Sequence, residues 1–530
     1  MRTRNIIPHA CWIAVLACVA CSDDDDTDLD GSGTLTSAEA QLDPALPPDV
    51  DTTEQARLTA DGKYPQVQRL FDELSWQSFI ALNWPETSAG QPAARLTDTG
   101  SALWESYIES YEVFKPNGAA PDAYGTARTT LPPISQGDLP DTGSDVLANQ
   151  GHRVLYNLSS TDGLTVLDEV NQAFSSPLWD QQGNVVHYEV LLNRPEYDYI
   201  NGNELYNLQG QVAYFAAHGA LEFPSGHFGT SDVGAIELKL AWRILTDADI
   251  PERYIVRPAF VIANDPPEWV EVNVGLVGMQ IAHKTASSPQ WIWSTFEHVD
   301  NLNVNDFEAF GPNAADHPKL PSFYDPDCEY CPVNVVPKPD ANGVQRTQVS
   351  RAVEIPDATQ AYNAQMQALL ATVGSRLQYY ELINTQWPTD PGAPPAPIDS
   401  FPENITNKSG GKPTPVYLIN SIMETYFQSG AAGQVQLTVD GQTPVTIPST
   451  NGGNTPLEYA EGFCHSVGDN CGDAGSNLVL STESCMGCHS SAPIATSGSG
   501  SDRAAYTFGA QLSADFSWLL NQKAQPKTSP

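Results

Sequence analysis

The sequences VNVGLVGMQIAH at Val272–His283 and QWIWSTFEHV at Gln290–Val299 are the most informative stretches for the fold of this chain. The first stretch is apolar on both of its alternating faces: Val272, Val274 and Leu276 on one, and Val277, Met279, Ile281 and His283 on the other. Apolar side chains on both faces are typical of a central strand. A six-residue connection follows, which predicts that the two stretches pair as antiparallel neighbours.

This pairing places His283 beside the start of the second stretch, whereas His298 lies near the end of that stretch. At roughly 3.3 Å per residue, about 25 Å should separate them. They therefore cannot ligate one metal ion together, although each alone is a candidate for a ligand or for a proton-transfer group.

Further strands are predicted on the N-terminal side, between clusters of Gly, Pro and Asn. They are Val154–Leu158, Val185–Leu192, Ala235–Ile244, Tyr254–Val256 and Phe260–Ile262. A helix is predicted from Val67, with Asn83 and Pro85 ending it and an aromatic stripe for the core. We therefore expect an α+β protein whose large domain, residues 56–323, is a β-rich antiparallel sandwich or barrel-like sheet.

The remaining chain is predicted to divide into a linker and a C-terminal region. Residues 324–402 read as a crossover, a helix over Asp357–Leu382 and a Pro-rich linker. Residues 403–530 are expected to be mainly helical, with a helix over Val416–Phe427 and a hairpin formed by Val435–Val439 and Val445–Ile447.

The C-terminal region contains Cys485-Met486-Gly487-Cys488-His489. Two thiols at this spacing can add to the vinyl groups of haem, and the adjacent imidazole can ligate the iron. With nine Cys and ten His in 530 residues, roughly 0.003 chance matches to this pattern are expected. The motif predicts one covalent haem c, with Cys485 and Cys488 as thioether donors and His489 as the proximal iron ligand.

No Met or His follows His489, so the distal iron ligand must come from elsewhere or be absent. The candidates are Met423, His465, Met279, His283, His298 and Lys523. His283 and His298 are also the candidate acid–base groups if the haem position is open.

The N-terminus predicts export. A basic start and a short apolar segment at residues 1–21 are typical of a signal peptide. Small residues precede Cys18 and Cys21, which resembles a lipoprotein cleavage site with lipidation of Cys21 or Cys18. The acidic segment 22–55 should be a disordered tether. We expect a periplasmic or cell-surface protein, with the outer membrane favoured, whose membrane attachment is through this lipid alone.

Charge and the remaining cysteines agree with this location. The chain has 25 Lys and Arg against 64 Asp and Glu, which disfavours nucleic acid and suits a cationic redox partner protein. The pairs Cys328/Cys331 and Cys464/Cys471 suit two local disulfides in an oxidising compartment, with a zinc site as the alternative.

Several of these motifs resemble a poorly characterised group of bacterial envelope proteins called cytochrome c family proteins. The similarity is carried by Trp76–Pro85, Gly275–Gly278 with His283–Thr285, Trp291–His298, Cys485–His489 and Asp515–Leu520. It covers most of the chain after the signal peptide. The resemblance implies export and one haem c, but it implies no substrate.

Three functions remain open from the sequence. The first is electron transfer by a lipid-anchored monohaem cytochrome. The second is an oxidoreductase whose open distal site handles peroxide, oxygen or a nitrogen oxide. The third is a binding module in which haem is a redox reporter or a structural staple.

Overall fold

The computed structural model describes most of the chain, with gaps. The described residues are 38–129, 143–155, 177–263, 268–302, 321–328, 331–351, 353–389, 391, 418–425, 434–437, 445–448, 485–486, 489–490, 492–509 and 512–528. In them the protein is a mixed α and β structure, with a curled sheet and several helices.

The helices, numbered in chain order, are α1 Thr52–Ala60, α2 Tyr64–Leu82, α3 Ser110–Val113, α4 Gly143–Ala148, α5 Arg194–Gly202, α6 Leu208–His218, α7 Asp357–Thr372 and α8 Leu519–Gln522. Within the described ranges, no helix has the length and apolar character needed to cross a membrane.

The strands are β1 Pro85–Glu86, β2 Ser101–Ala102, β3 Ile108–Glu109, β4 Arg153–Leu155, β5 His187–Leu192, β6 Ile236–Ile244, β7 Val256–Ala263, β8 Glu268–His283, β9 Ile292–His298, β10 Tyr380–Gln386, β11 Gln434–Leu437, β12 Val445–Pro448, β13 Ala495–Gly498 and β14 Tyr506–Phe508.

The main sheet has the strand order β10-β9-β8-β6-β5-β3, and β7 pairs with both β8 and β4. Its pairings are antiparallel except for the parallel β4–β7 pair. β8 and β9 pair as predicted, with His283 opposite Ile292. β8 is 16 residues long, so it can pair with β7 along its first half and with β9 along its second half.

A β-bulge in β8 corrects the predicted assignment of its faces. On β6, Ala241 lies opposite Gly278, but the next residue, Trp242, lies opposite Leu276. Val277 is therefore the extra residue, and the alternation changes phase there. Val277 packs in a different cluster from Met279 and Ile281, which instead share a cluster with Val274 and Leu276.

One face of the sheet, called here the helical face, is covered by α2 and α7. As predicted, α2 ends where Asn83 caps it, and its aromatic side chains Trp76 and Phe79 are fully buried. The Phe79 ring stacks on Phe296 of β9 at a centroid distance of 4.2 Å. Trp76 donates its ring N–H to Asn363 of α7 over 2.9 Å, so the two helices are joined above the sheet.

The helix predicted over Asp357–Leu382 is too long. Helix α7 ends at Thr372, and Gly374 follows with φ of +71°, a conformation that glycine adopts without steric cost. The chain then forms β10, which pairs with β9. The predicted linker 324–402 and the predicted β-rich segment 56–323 thus contribute strands to the same sheet.

Two further local predictions are wrong. Within the helix predicted over Val416–Phe427, residues 418–420 are not helical. Asn420 instead begins a turn, in which its side chain accepts from the N–H groups of Ile422 and Met423. Residues 38–55 are ordered: Leu42 and Val50 are buried, and Asp49 accepts a 2.9 Å bond from Ser287 N. The signal peptide and residues 22–37 of the tether lie outside the described residues.

Two small features match their predictions. β11 and β12 form an antiparallel hairpin, and a disulfide joins Cys328 to Cys331. Cys464, His465 and Cys471 lie outside the described residues.

Candidate functional site

A row of four side chains crosses the sheet on the face opposite α2 and α7. Glu237 of β6 lies opposite Ala282 of β8, Ala282 opposite Trp293 of β9, and Trp293 opposite Gln386 of β10. Residues opposite each other in a sheet point to the same side. These four residues are called the site row, and the face they occupy is called the C-terminal face.

The C-terminal region contacts the site row at three points. The backbone N–H of Met486 donates to Gln386 Oε1 over 2.7 Å. The ring of His489 lies against Trp293 with a centroid distance of 4.4 Å. Ser517 donates its hydroxyl to Glu237 Oε2 over 2.9 Å. The predicted haem motif is therefore held directly on the sheet.

Cys485 and His489 have the spacing of neighbours on a helix. Residues 485, 486, 489 and 490 have helical backbone conformation, and side chains four residues apart share one helix face. Cys485 is a half-buried thiol outside any disulfide. Cys488 lies outside the described residues.

His489 is oriented through its second ring nitrogen. Nδ1 lies 2.8 Å from the carbonyl oxygen of Phe516, so Nδ1 carries the proton and donates it. The lone pair is then on Nε2, which is the usual arrangement of a metal-binding histidine. Burial lowers the pKa of His489 to about 4, with the Phe516 bond opposing that shift and Lys239 adding to it.

Lys239 is a site residue that belongs to no motif in the sequence. It lies two residues after Glu237 on β6 and is half-buried. Its positive charge is close enough to lower the pKa of His489 and of Glu237. The alternation Ile236-Glu237-Leu238-Lys239-Leu240 is the signal that would have placed both charges on one face. No sequence pattern singled out Gln386.

The carboxyl groups of Glu196 and Glu237 lie close to each other at the C-terminal face. Glu196 of α5 is fully buried, and neither of its carboxylate oxygens has a hydrogen-bond partner among the described residues. Burial raises the pKa of Glu196 well above 4.5, and the charges of Glu237 and Asp515 add to the shift. Burial also raises the pKa of Glu237 to about 7, against the Ser517 bond and Lys239.

The sheet separates three of the predicted distal ligands from His489. Met279 packs in the cluster of the helical face with Ile281 and Phe296. His283 alternates with Ala282 of the site row, and His298 is five residues after Trp293, so both side chains point to the helical face. Met279, His283 and His298 therefore cannot share an iron with His489, and their prediction as distal ligands is corrected.

The two histidines are also separated from each other, as predicted. His283 lies opposite Ile292, six residues before His298, which is roughly 20 Å of strand. His298 uses both ring nitrogens, one near Arg253 O at 3.1 Å and one accepting from Asp300 N at 3.1 Å. His283 is buried, and its Nε2 contacts Val233 O. These contacts suit structural histidines better than acid–base groups.

The other distal candidates differ in position. Met423 is fully buried in a cluster with Tyr188, Val277 and Ile422, as expected for a core methionine. It lies on the segment 418–425, which bonds to the C-terminal face through Asn420 and Thr295 at 2.9 Å. Lys523 follows α8 and is half-buried. His465 lies outside the described residues.

Comparison with known proteins adds no relative: no family model, no curated protein and no solved structure matches this chain. In the described part of the chain, no group of three His, Cys, Asp or Glu side chains is arranged to hold a metal ion. A single imidazole and two thiols suit a haem, whose porphyrin supplies the other iron ligands.

Proposed function

We propose that this protein is an exported, lipid-anchored c-type cytochrome that takes part in electron transfer. One haem c would be bound by Cys485, Cys488 and His489. The observation that carries the proposal is the 2.8 Å contact between His489 Nδ1 and Phe516 O. It leaves Nε2, on the side chain next to the Cys pair, as the atom for iron.

The residues around the motif have separate roles in this proposal. Gln386 and Trp293 hold the motif on the sheet, and the Phe516 carbonyl fixes the tautomer of His489 and strengthens it as a donor. Lys239 supplies a positive charge suited to a carboxylate of the cofactor. When bound, the haem supplies a one-electron iron couple.

The covalent bond can be tested with a matched control inside the chain. Cys485→Ser/Cys488→Ser removes the predicted thioether donors. Cys328→Ser/Cys331→Ser removes a Cys-x-x-Cys pair that Pro332, rather than His, follows. Both variants and the wild type are expressed with haem-attachment machinery and run on a denaturing gel stained for haem. The wild type and the control should keep haem through denaturation, whereas the 485/488 variant should lose it.

A second candidate function is a haem enzyme with an open distal site. Met279, His283 and His298 lie on the helical face, away from His489. Of the predicted distal ligands only Met423, His465 and Lys523 then remain, which favours an open distal site. Carbon monoxide and cyanide added to the purified protein separate the two functions. Rapid binding to high-spin iron favours the enzyme, and a low-spin spectrum that resists both ligands favours the carrier.

Export and lipid attachment rest on the N-terminal sequence. Labelled fatty acid should enter the wild-type protein, and Cys21→Ser should abolish the label if Cys21 is the attachment site. If Cys18→Ser abolishes it instead, then Cys18 is the lipidated residue. A wild-type protein that takes up no label contradicts the lipoprotein proposal.

A further inference from the structure

Two motifs that are far apart in the chain meet at a buried ion pair beside His489. Lys284, at the end of β8, places its Nζ 2.7 and 2.8 Å from the two carboxylate oxygens of Asp515. The side chains of Lys284 and Asp515 are only 2% and 9% exposed. Lys284 Nζ also donates to Pro289 O over 2.7 Å. The pair therefore joins the β8–β9 connection to the C-terminal region.

The turn at Asp515 has an unfavourable backbone conformation. Asp515 and Phe516 have φ of +46° and +72°, in the left-handed region that L-residues adopt at a cost of about 1–2 kcal/mol each. Such a turn persists only where its surroundings hold it. Asp515 accepts a further 2.7 Å hydrogen bond from Phe223 N. Its carboxylate is therefore fixed by three hydrogen bonds, two from Lys284 Nζ and one from Phe223 N.

This turn determines where the Phe516 carbonyl points. Phe516 follows Asp515 directly, and its oxygen accepts the proton of His489 Nδ1. A continuous series of contacts runs from Pro289 through Lys284 and Asp515 to Phe516 and His489. Each hydrogen bond in it is between 2.7 and 2.8 Å long.

We propose that the Lys284–Asp515 ion pair positions His489, by holding the left-handed turn that aims the Phe516 carbonyl at its Nδ1. This inference rests on the proposed haem function, since His489 acts there as an iron ligand. Lys284 and Asp515 are positioning residues, because neither contacts the cofactor in this account. A firm Nδ1 bond makes the imidazole a stronger donor, which favours ferric iron and lowers the reduction potential.

Three variants test the inference in the haem-loaded, full-length protein. Lys284→Met removes the cation at similar length. Asp515→Asn removes the anion and keeps an acceptor for Phe223 N. The double variant Lys284→Met/Asp515→Asn removes both charges and leaves no unpaired buried ion. Lys527→Met is the matched control, because it breaks the exposed Lys527–Glu204 pair in the same C-terminal region.

The sign of the potential shift separates positioning from simple charge effects. Loss of a positive charge alone lowers the potential, and loss of a negative charge alone raises it. Positioning predicts that both single variants and the double variant raise the potential. The expected increase in the equilibrium constant for reduction is about threefold to tenfold, where tenfold equals 59 mV for one electron. Lys527→Met should match the wild type.

Each result has one interpretation. Opposite shifts in the single variants, or a double variant at the wild-type potential, would overturn the inference even if stability fell. If a single variant fails to fold, the double variant decides, because its net charge equals that of the wild type. A variant that keeps the wild-type circular dichroism but binds no haem also supports positioning. Absence of covalent haem from the wild type would instead contradict the proposed function itself.

Discussion

The two faces of the main sheet both carry apolar clusters but differ in their polar contacts. On the helical face, α2 and α7 bury Trp76, Phe79 and Phe296 in a continuous apolar cluster. On the C-terminal face, Ala282 and Trp293 lie in a second apolar cluster that includes Met486 and Phe516. Hydrogen bonds such as Met486 N to Gln386 and Ser517 to Glu237 also join short segments to the site row. Apolar packing stabilises both faces. The second face differs because polar groups also hold a motif in place there, which is where functional chemistry is expected.

The largest predicted effect is on the helical face. Phe296 is fully buried and stacks on Phe79, so Phe296→Ala should lower the free energy of unfolding by about 3–5 kcal/mol. Phe228→Ala, at a ring that is 48% exposed, should change it by less than about 0.5 kcal/mol. Urea titrations measure both values. Equal effects would contradict the assignment of Phe296 to the core.

Acid should destabilise the helical face through His298. Burial lowers the pKa of His298 to about 4 from 6.5, so between these values the unfolded chain binds the proton that the folded chain excludes. Stability is then lost as the pH falls from 6.5 towards 4, by about 3 kcal/mol for this group. His298→Gln keeps a hydrogen-bonding side chain without the titration. Its free energy of unfolding should show a flatter pH dependence in this window, and an unchanged slope would contradict the prediction.

The C-terminal face should respond to pH in the opposite direction, through Glu196. The pKa of Glu196 is raised by burial, so above pH 4.5 the folded chain holds a proton that the unfolded chain releases. Stability should therefore fall as the pH rises from 4.5 towards the folded pKa, by about 1.4 kcal/mol per pH unit for one proton. Glu196→Gln should remove that slope and stabilise the protein at pH 8. Destabilisation at pH 8 would refute the assignment of a neutral, buried Glu196.

A smaller effect is expected at the site row. Gln386→Leu removes the acceptor of the Met486 N–H and should cost about 1–2 kcal/mol. Hydrogen exchange should increase around Met486 and remain unchanged in α2 and α7. Gln345→Leu is a control, because the Gln345 side chain donates to Pro337 O away from the site row. Equal exchange in both variants would indicate that Gln386 does not hold the motif.

Much of the sheet and of the helical face could be predicted from sequence, since burial imposes regular periods. Apolar residues on both faces of β8 and the six-residue connection predicted β8 and β9 as antiparallel partners, and the apolar repeat predicted α2 with its end at Asn83. The faces of β8 were predicted wrongly because the extra residue Val277 shifts the alternation, and only the register with β6 shows it. The length of α7 was wrong because the apolar repeat continues to Leu377, whereas the helix ends at Thr372, just before Gly374 with its positive φ.

The candidate site could be predicted only in part. The Cys485–His489 motif is local and was visible in the sequence. Its partners Trp293, Gln386, Phe516 and Lys284 come from separate elements and meet only through tertiary pairing. The distal candidates Met279, His283 and His298 were plausible until the sheet placed them on the face opposite His489, because residue type carries no information about which face a side chain occupies.

The central claim is that Cys485 and Cys488 hold a haem on the C-terminal face. Intact-mass measurement of the denatured protein, expressed with haem-attachment machinery, tests it most directly. The account predicts that the wild-type polypeptide is heavier by one haem than its processed sequence, and that Cys485→Ser/Cys488→Ser has the mass of the polypeptide alone. A wild-type protein with the mass of the polypeptide alone would contradict it.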